Sequence, residues 1–205
     1  MSDASPRRAR PATLGQLRKR ATHCTACPLY ARATQTVFGV GAASATLMLV
    51  GEQPGDREDI EGRPFVGPAE TLLARALHDA GIERQSCYIT NAVKHFKWGL
   101  LGKRRIHKTP AQREIDACRH WLLAELEAVR PQVLVCLGAI APKAVRGRGF
   151  RLMRQRGQVL DTELGVRALA TLHPSAGLRM IEPRQRTRAL AMLIADLKRA
   201  RRRRR

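Results

Sequence analysis

VGEQPGDREDIEGRPFVG, residues Val50 to Gly67, is the stretch whose reading decides the fold. The apolar run Thr46-Leu-Met-Leu-Val50 that leads into it reads as a buried strand. It stops at Gly51-Glu-Gln-Pro-Gly55, where glycine and proline bend the backbone and leave little side-chain bulk. A strand ending in such a loop is how an α/β fold makes a pocket at the carboxyl edge of a sheet. The loop carries Glu52, Gln53 and Asp56 into the pocket region, and Phe65 follows as a lone aromatic between Pro64 and Val66. A carboxylate, an amide and a flat apolar ring beside bare backbone suit a small planar heterocycle.

Outward from this stretch, strand and helix patterns alternate. Upstream, Leu14 to Thr22 reads as a short helix, with Cys24-Thr-Ala-Cys27-Pro28 in a loop. Downstream, Pro68 to Ala80 is helical, with proline in its first turn and Gly81 as its stop. Cys87 to Asn91 is a strand, and a long basic loop from Lys97 to Lys108 delays the next helix. That helix starts at Thr109-Pro110-Ala-Gln112, with Thr109 as cap and Gln112 completing a capping box, and it places Ile115, Cys118, Leu122, Leu126 and Val129 on one face. Val133 to Gly138 is apolar enough to be covered on both faces, as in a parallel sheet, and a helix follows from Ala139 to about Arg146. Gln155 to Asp161 reads as hairpin-like, Ala168 to Leu172 as a strand ending in His173-Pro174-Ser175, and Arg184 to Lys198 as a closing amphipathic helix. The pattern predicts a three-layer α/β/α sandwich around a short, mainly parallel four-stranded sheet. Its strand ends bring together Glu52 and Gln53, Asn91 and His173.

At 205 residues and 44% apolar content, the chain has one core of ordinary size, predicted over residues 13–199. No apolar run is long enough to span a membrane, and no secretory signal is evident, which points to the cytoplasm. Lys+Arg 38 against Asp+Glu 17 leaves a net charge of +21, which implies a polyanionic partner such as the DNA of the nucleoid. Some of that charge lies in an arm over residues 1–12, with Arg7, Arg8 and Arg10, and in the run from Lys198 to Arg205, with an Arg-rich tail over 200–205. Such blocks predict disordered arms that add salt-sensitive, sequence-blind affinity.

Four motifs in order, GEQPG, GRPFVG, TNAVKHFKW and HPS, resemble the uracil-DNA glycosylase superfamily in its iron–sulfur, family 4-like branch, from Thr22 to about Arg199. The segment Lys103-Arg-Arg-Ile-His107 is similar to the insertion of the UdgX type. The resemblance implies that an extruded uracil stacks on Phe65, hydrogen-bonds Asn91 and lies against Gly51 and Gln53. It implies that His173 stabilises charge developing on the base, that Glu52 faces the sugar, and that Asp56 positions His107 or water. It also implies that His107 attacks C1′ and stays bonded to the DNA. Lys103, Arg104, Arg105 and Lys108 would disfavour the protonated imidazole and, with Ser175, contact the DNA. The expected partner is uracil-containing DNA, single-stranded, bound by a monomer. A hydrolytic glycosylase releasing a free abasic site is the nearest alternative, and a non-catalytic iron–sulfur DNA-binding protein is a more distant one.

Five cysteines without a secretion signal argue against disulfides, and Cys24 with Cys27 forms a metal half-site. In the family resembled, the third cysteine ligand falls where this chain has His95 and the fourth matches Cys118. The implied set is therefore Cys24, Cys27, His95 and Cys118 on a 4Fe–4S cluster, with Cys87 in reserve. Zinc accepts the same Cys3His set. Cys136, inside a strand, reads as a small core residue.

Overall fold

Short apolar runs separated by amphipathic ones become, in the computed structural model, a sheet clothed by helices on both faces; residues 12–147, 149–162 and 164–203 are described. In chain order the elements are α1 (Leu14–Ala21), β1 (Leu47–Gly51), α2 (Asp56–Glu61), α3 (Pro68–Asp79), β2 (Cys87–Asn91), β3 (Trp98–Leu101), β4 (Arg104–His107), α4 (Gln112–Val129), β5 (Val133–Leu137), α5 (Ala141–Arg146), α6 (Leu152–Gln155), β6 (Val159–Asp161), β7 (Arg167–Thr171), α7 (Pro174–Arg179) and α8 (Pro183–Arg202). The main sheet runs β2-β1-β5-β7-β6, with β6 antiparallel to β7 and the other pairings parallel. Chain direction across the sheet reverses between β1 and β5, the kind of crevice in which α/β proteins bind ligands.

Alternation along each strand assigns the faces. Leu47, Leu49, Val133 and Val135 lie under Leu73 and Leu77 of α3 and Leu193 and Leu197 of α8. Met48, Val50, Leu134 and Cys136 lie under Leu122 and Leu126 of α4 and Ala144 of α5. Every residue of β1, β2 and β5 is buried, which follows from having helices on both sides. No helix among the described residues is long and apolar enough to cross a membrane.

Several sequence expectations need correction. The sheet has five strands rather than four; the extra one, β6, has three residues and is only partly covered, too short for a readable alternation. The predicted basic loop from Lys97 to Lys108 is largely a hairpin of β3 and β4, in which Trp98 faces His107 and Leu101 faces Arg104. Its turn is Gly102-Lys103, and Gly102 at φ 58° supplies the left-handed residue such a turn uses. α4 begins later than expected. Ala111 occupies the cap position, and its N–H donates to Glu114 Oε2 at 2.6 Å, so Thr109 and Gln112 do not form the predicted box. α8 extends to Arg202 because Ala200 is buried one turn after Leu197, so residues 200–202 are helical rather than part of a loose tail. The amino-terminal arm, except residue 12, lies outside the described residues, as do Arg204 and Arg205.

Candidate active site and candidate metal centre

Gly51 closes β1 opposite Asn91 of β2. A Cβ on Gly51 would sit 2.3 Å from Asn91 Oδ1 and 3.0 Å from the Phe65 ring, so the missing side chain is what lets amide and ring close on the strand end. Phe65 itself is held at φ 54°, a conformation that non-glycine residues avoid. Glu58 organises the surrounding loop: its carboxylate accepts the N–H of Gly55 (3.1 Å), Val66 (3.2 Å) and Gly67 (2.9 Å). The Phe65 ring then stacks beside His173, with centroids 5.9 Å apart and planes at 26°. These groups line a cavity of about 540 Å³ with Glu52, His107 and Arg179, a size suited to a small ligand.

Three titratable side chains meet in that cavity. Burial pushes the Glu52 carboxyl above its ordinary range, against the opposing pull of Arg179 and Lys143. Glu52 Oε1 is buried without a hydrogen-bond partner, and His107 Nε2 lies 3.5 Å from it. His107 is held below the ordinary histidine value by desolvation first and by Arg179 second. The cations flanking it in sequence, expected to disfavour its protonated form, are not among the causes. His173 is driven down to about 4 by burial, Arg179 and His107, and so is neutral near neutral pH. The Ser175 N–H donates to His173 Nδ1 at 3.2 Å, which fixes that nitrogen as an acceptor and leaves the ring proton on Nε2.

His107 reaches Glu52 because the hairpin is fixed at its base and along one edge. The Gln53 amide donates to Lys97 O and Lys108 O, both at 3.1 Å, and accepts the Lys97 N–H at 3.1 Å. Gln53, expected beside the base, lines the cavity, and its side-chain amide is engaged with the feet of the hairpin. Arg105, expected on DNA, pairs with Asp56 (2.6 Å) and with the fully buried Asp59 (2.7 Å). Asp59 also accepts from Thr34 Oγ1 at 2.6 Å. Lys103, Arg104 and Lys108 are exposed, while Ser175 is half-buried against His173 and accepts from Arg179 Nη1 at 3.0 Å.

Below Asn91 lies a charged network that sequence reading missed. Lys94 and Glu125 are both completely buried and pair at 2.6 Å. Lys94 Nζ also donates to Thr90 Oγ1 (2.6 Å) and Asn91 O (2.8 Å), and Glu125 accepts from Tyr88, Thr90 and the Gly39 N–H. Periodicity could not reveal Glu125, which occupies an apolar-face position of α4. Asp59, Glu58 and Arg179 were missed too; only Glu58 carried a signal, since Gly55-x-x-Glu58 has the spacing of a capping box.

This geometry can be set beside known proteins. The family model described as the uracil DNA glycosylase superfamily matches residues 38–198. The chain belongs to the uracil-DNA glycosylase superfamily. A type-4 uracil-DNA glycosylase of Thermotoga maritima is 40% identical over 162 residues, covering 78% of this chain and 81% of the relative. Type-4 enzymes of Archaeoglobus fulgidus and Pyrobaculum aerophilum are 35% and 33% identical, covering 76% and 81% of this chain and 78% and 85% of their own lengths.

In this superfamily member Cys24, Cys27 and Cys118 lie on the α4 side of the sheet. Cys27 and Cys118 share one core with β1 and β5 residues, and Cys24 and Cys27 both act electrostatically on the Cys118 thiol, which burial pushes up to about 12. Cys24 Sγ accepts from Trp121 Nε1 (3.1 Å) and Cys118 Sγ from the Lys94 N–H (3.2 Å), contacts that also suit metal-bound thiolates. Thr36 Oγ1 donates to Ala21 O, so it accepts from His95 Nε2 at 2.9 Å. That leaves His95 Nδ1 as a bare lone pair, buried and without a partner, the state a metal-ligating imidazole requires. Among the described residues no group of three or more His, Cys, Asp and Glu side chains is placed to hold a metal ion. Cys87 sits in the core on the opposite face of the sheet and is not placed as a reserve ligand. Cys136 lies in the α4-side core, as expected for a small packing residue.

Proposed function

We propose that this chain excises uracil from DNA and that His107, in the manner of the UdgX type, captures the resulting sugar. The observation that carries this reading is the approach of His107 Nε2 to within 3.5 Å of the otherwise unpartnered Glu52 Oε1. Uracil extruded from the strand stacks on Phe65 and pairs with the Asn91 amide. As the C1′–N1 bond breaks, its electron pair leaves with the base, and the neutral His173 Nε2–H donates to the uracil oxygen that takes up charge. Glu52 stabilises the electron-poor sugar while the Nε2 lone pair of the neutral His107 bonds to C1′, and the proton on the other ring nitrogen, Nδ1, is then lost to solvent. The adduct is a neutral alkyl-imidazole, a poor leaving group.

Cys24, Cys27, His95 and Cys118 would hold a 4Fe–4S cluster. When bound, it would supply a covalent tie between the amino-terminal loop, the segment after β2 and α4, rather than any step of excision. The reading extends to single-stranded DNA as substrate, a monomer as the acting form and the nucleoid as its place; the +21 charge supports the polyanionic partner.

Denaturing electrophoresis after incubation with uracil-containing oligonucleotide tests the proposal. A heat-stable shifted band is expected, absent in His107→Ala, with a sugar-modified peptide containing His107 in the digest. Glu52→Gln is expected to slow uracil release by roughly 10²–10⁴-fold, the usual contribution of a positioned acid–base group. Free uracil without a shifted band would select a hydrolytic reading, in which the unpartnered Glu52 oxygen activates water.

A further inference from the structure

Lys94 and Glu125 are both fully buried, and the proposed bond-breaking uses neither. Taking two ions out of water is costly, and apolar residues of similar volume often hold a fold equally well, so stability alone gives no reason for the pair. What the pair orders is the end of β2. That strand lies at the edge of the main sheet, bonded to β1 along one side. On its other side Ile89 and Val40 exchange N–H to carbonyl bonds of 2.8 and 2.9 Å in an isolated bridge. Carbonyls two residues apart on a strand point the same way, so Asn91 O faces outward just past that bridge. Lys94 Nζ donates to it at 2.8 Å and to Thr90 Oγ1 at 2.6 Å. On the inward side the Ala92 N–H donates to Gly51 O (2.9 Å) and the Val93 N–H to Glu52 O (3.0 Å).

We propose that Lys94, held in place by Glu125, is the positioning residue for the Asn91 carboxamide. Among the described residues no group hydrogen-bonds that amide itself, so its direction follows from the backbone it hangs from and from its packing on Gly51. Direction matters because uracil presents an acceptor at O4 beside a donor at N3, whereas cytosine presents the reverse pair; an amide free to turn would match either. The ammonium is placed with little slack. Glu125 Oε2 holds it at 2.6 Å, while Oε1 accepts from Tyr88 Oη and the Gly39 N–H, each at 3.0 Å. A Cβ on Gly39 would lie 2.6 Å from Glu125 Oε1, so backbone closes on the carboxylate. The inference rests on the reading of Asn91 as the group that pairs with uracil.

The test is Lys94→Met/Glu125→Leu, which removes both charges together, with Tyr88→Phe as a control that takes one bond from Glu125 and touches neither Lys94 nor Asn91. The Lys94 N–H, and with it the bond to Cys118 Sγ, is present in every variant. Single-turnover uracil release is expected to slow by about 10–10²-fold in the double variant, the scale of a small misplacement, and the preference for uracil over cytosine to fall. In an Asn91→Ala background the same two substitutions should slow release by less than about twofold further, because they act through the amide already removed. Tyr88→Phe should leave rate and base preference unchanged. Equal slowing in both backgrounds would overturn the proposal and make the pair a packing element, as would a double variant as fast and as selective as the unsubstituted protein. Asn91 is the only asparagine in the chain, so asparagine-selective 15N labelling yields a single side-chain amide pair. Its signals are expected to move in the double variant and to stay in place in Tyr88→Phe. If thermal melts show the double variant unfolded, Glu125→Gln, which keeps the side chain's shape, is read by the same rates and signals. If the unsubstituted protein releases no uracil, the glycosylase reading fails by itself, and the amide signals still decide: unmoved, they reject Lys94 as the residue that positions Asn91.

Discussion

Glu52 Oε1 and His95 Nδ1 are the buried side-chain atoms without a hydrogen-bond partner among the described residues, and each sits in one of the two candidate centres. Leaving such an atom unpaired costs roughly 1–3 kcal/mol, a cost that the proposed sugar at Glu52 and the proposed metal at His95 would relieve. The same residues set the pH response. His107 is depressed below 6.5, so it should stay neutral through neutral pH, and the rate of adduct formation should be flat there and fall only at pH values below about 6.5. A rate that already declines above that point would mean that Glu52 holds a proton on the imidazole. His173 makes a separate contribution to stability. Its folded pKa of about 4 lies below the unfolded value near 6.5, so between these values the unfolded chain binds more protons and stability falls as pH is lowered. Denaturant midpoints should drop across that window, and His173→Gln should remove this part of the drop. These residues were legible because each follows a strand and belongs to a motif. The partners of Gln53 and Arg105 were not legible, because the partner of a long polar side chain depends on which segments the fold brings beside it.

At the scale of elements, the hairpin and α2 work as one device. Arg105 on β4 joins Asp56 and Asp59 of α2, and Gln53 joins both feet of the hairpin to the loop after β1. Arg105 and its neighbour Arg104 should therefore behave oppositely on substitution. Arg105→Ala removes a charged partner from buried Asp59, which keeps its bond from Thr34; it should cost roughly 1–3 kcal/mol of stability and slow adduct formation. Arg104→Ala should leave the melting temperature unchanged and lower the salt slope of DNA binding by about one. If the two variants gave the same salt slope and the same melting temperature, the internal role of Arg105 would be wrong. Neither element was readable in advance. The six-residue α2 is acidic, with one buried residue, and β4 is cationic, so no apolar period announced either. The core strands and the long helices were readable because burial on a fixed face imposes a period.

Over the whole molecule, positive charge and packing overlap most at the end of α8. The sequence there is a run of arginines, and charge alone divides it from the domain at residue 200. Packing divides it later, because Ala200 is fully buried beside α3 and Arg201 Nη1 donates to Ala80 O at 3.0 Å, closing the end of that helix. Two truncations separate these views. Ending the chain after Arg202 removes Arg203, Arg204 and Arg205 and loses one exposed hydrogen bond, from Arg167 Nη2 to Arg203 O at 2.7 Å, so it should hardly move the melting temperature, while flattening the salt dependence of DNA binding by up to about 0.9 per arginine that meets a phosphate. Ending it after Arg199 also removes the Arg201 contact, worth about 1.5–3 kcal/mol as a hydrogen bond involving a charged group, and should lower the melting temperature by about 2–4 °C for each kcal/mol lost. Thermal unfolding with salt titration of oligonucleotide binding reads both effects. If the shorter chain melted where the longer one does, residues 200–202 would contribute charge alone, and the boundary drawn from composition would be the physical one.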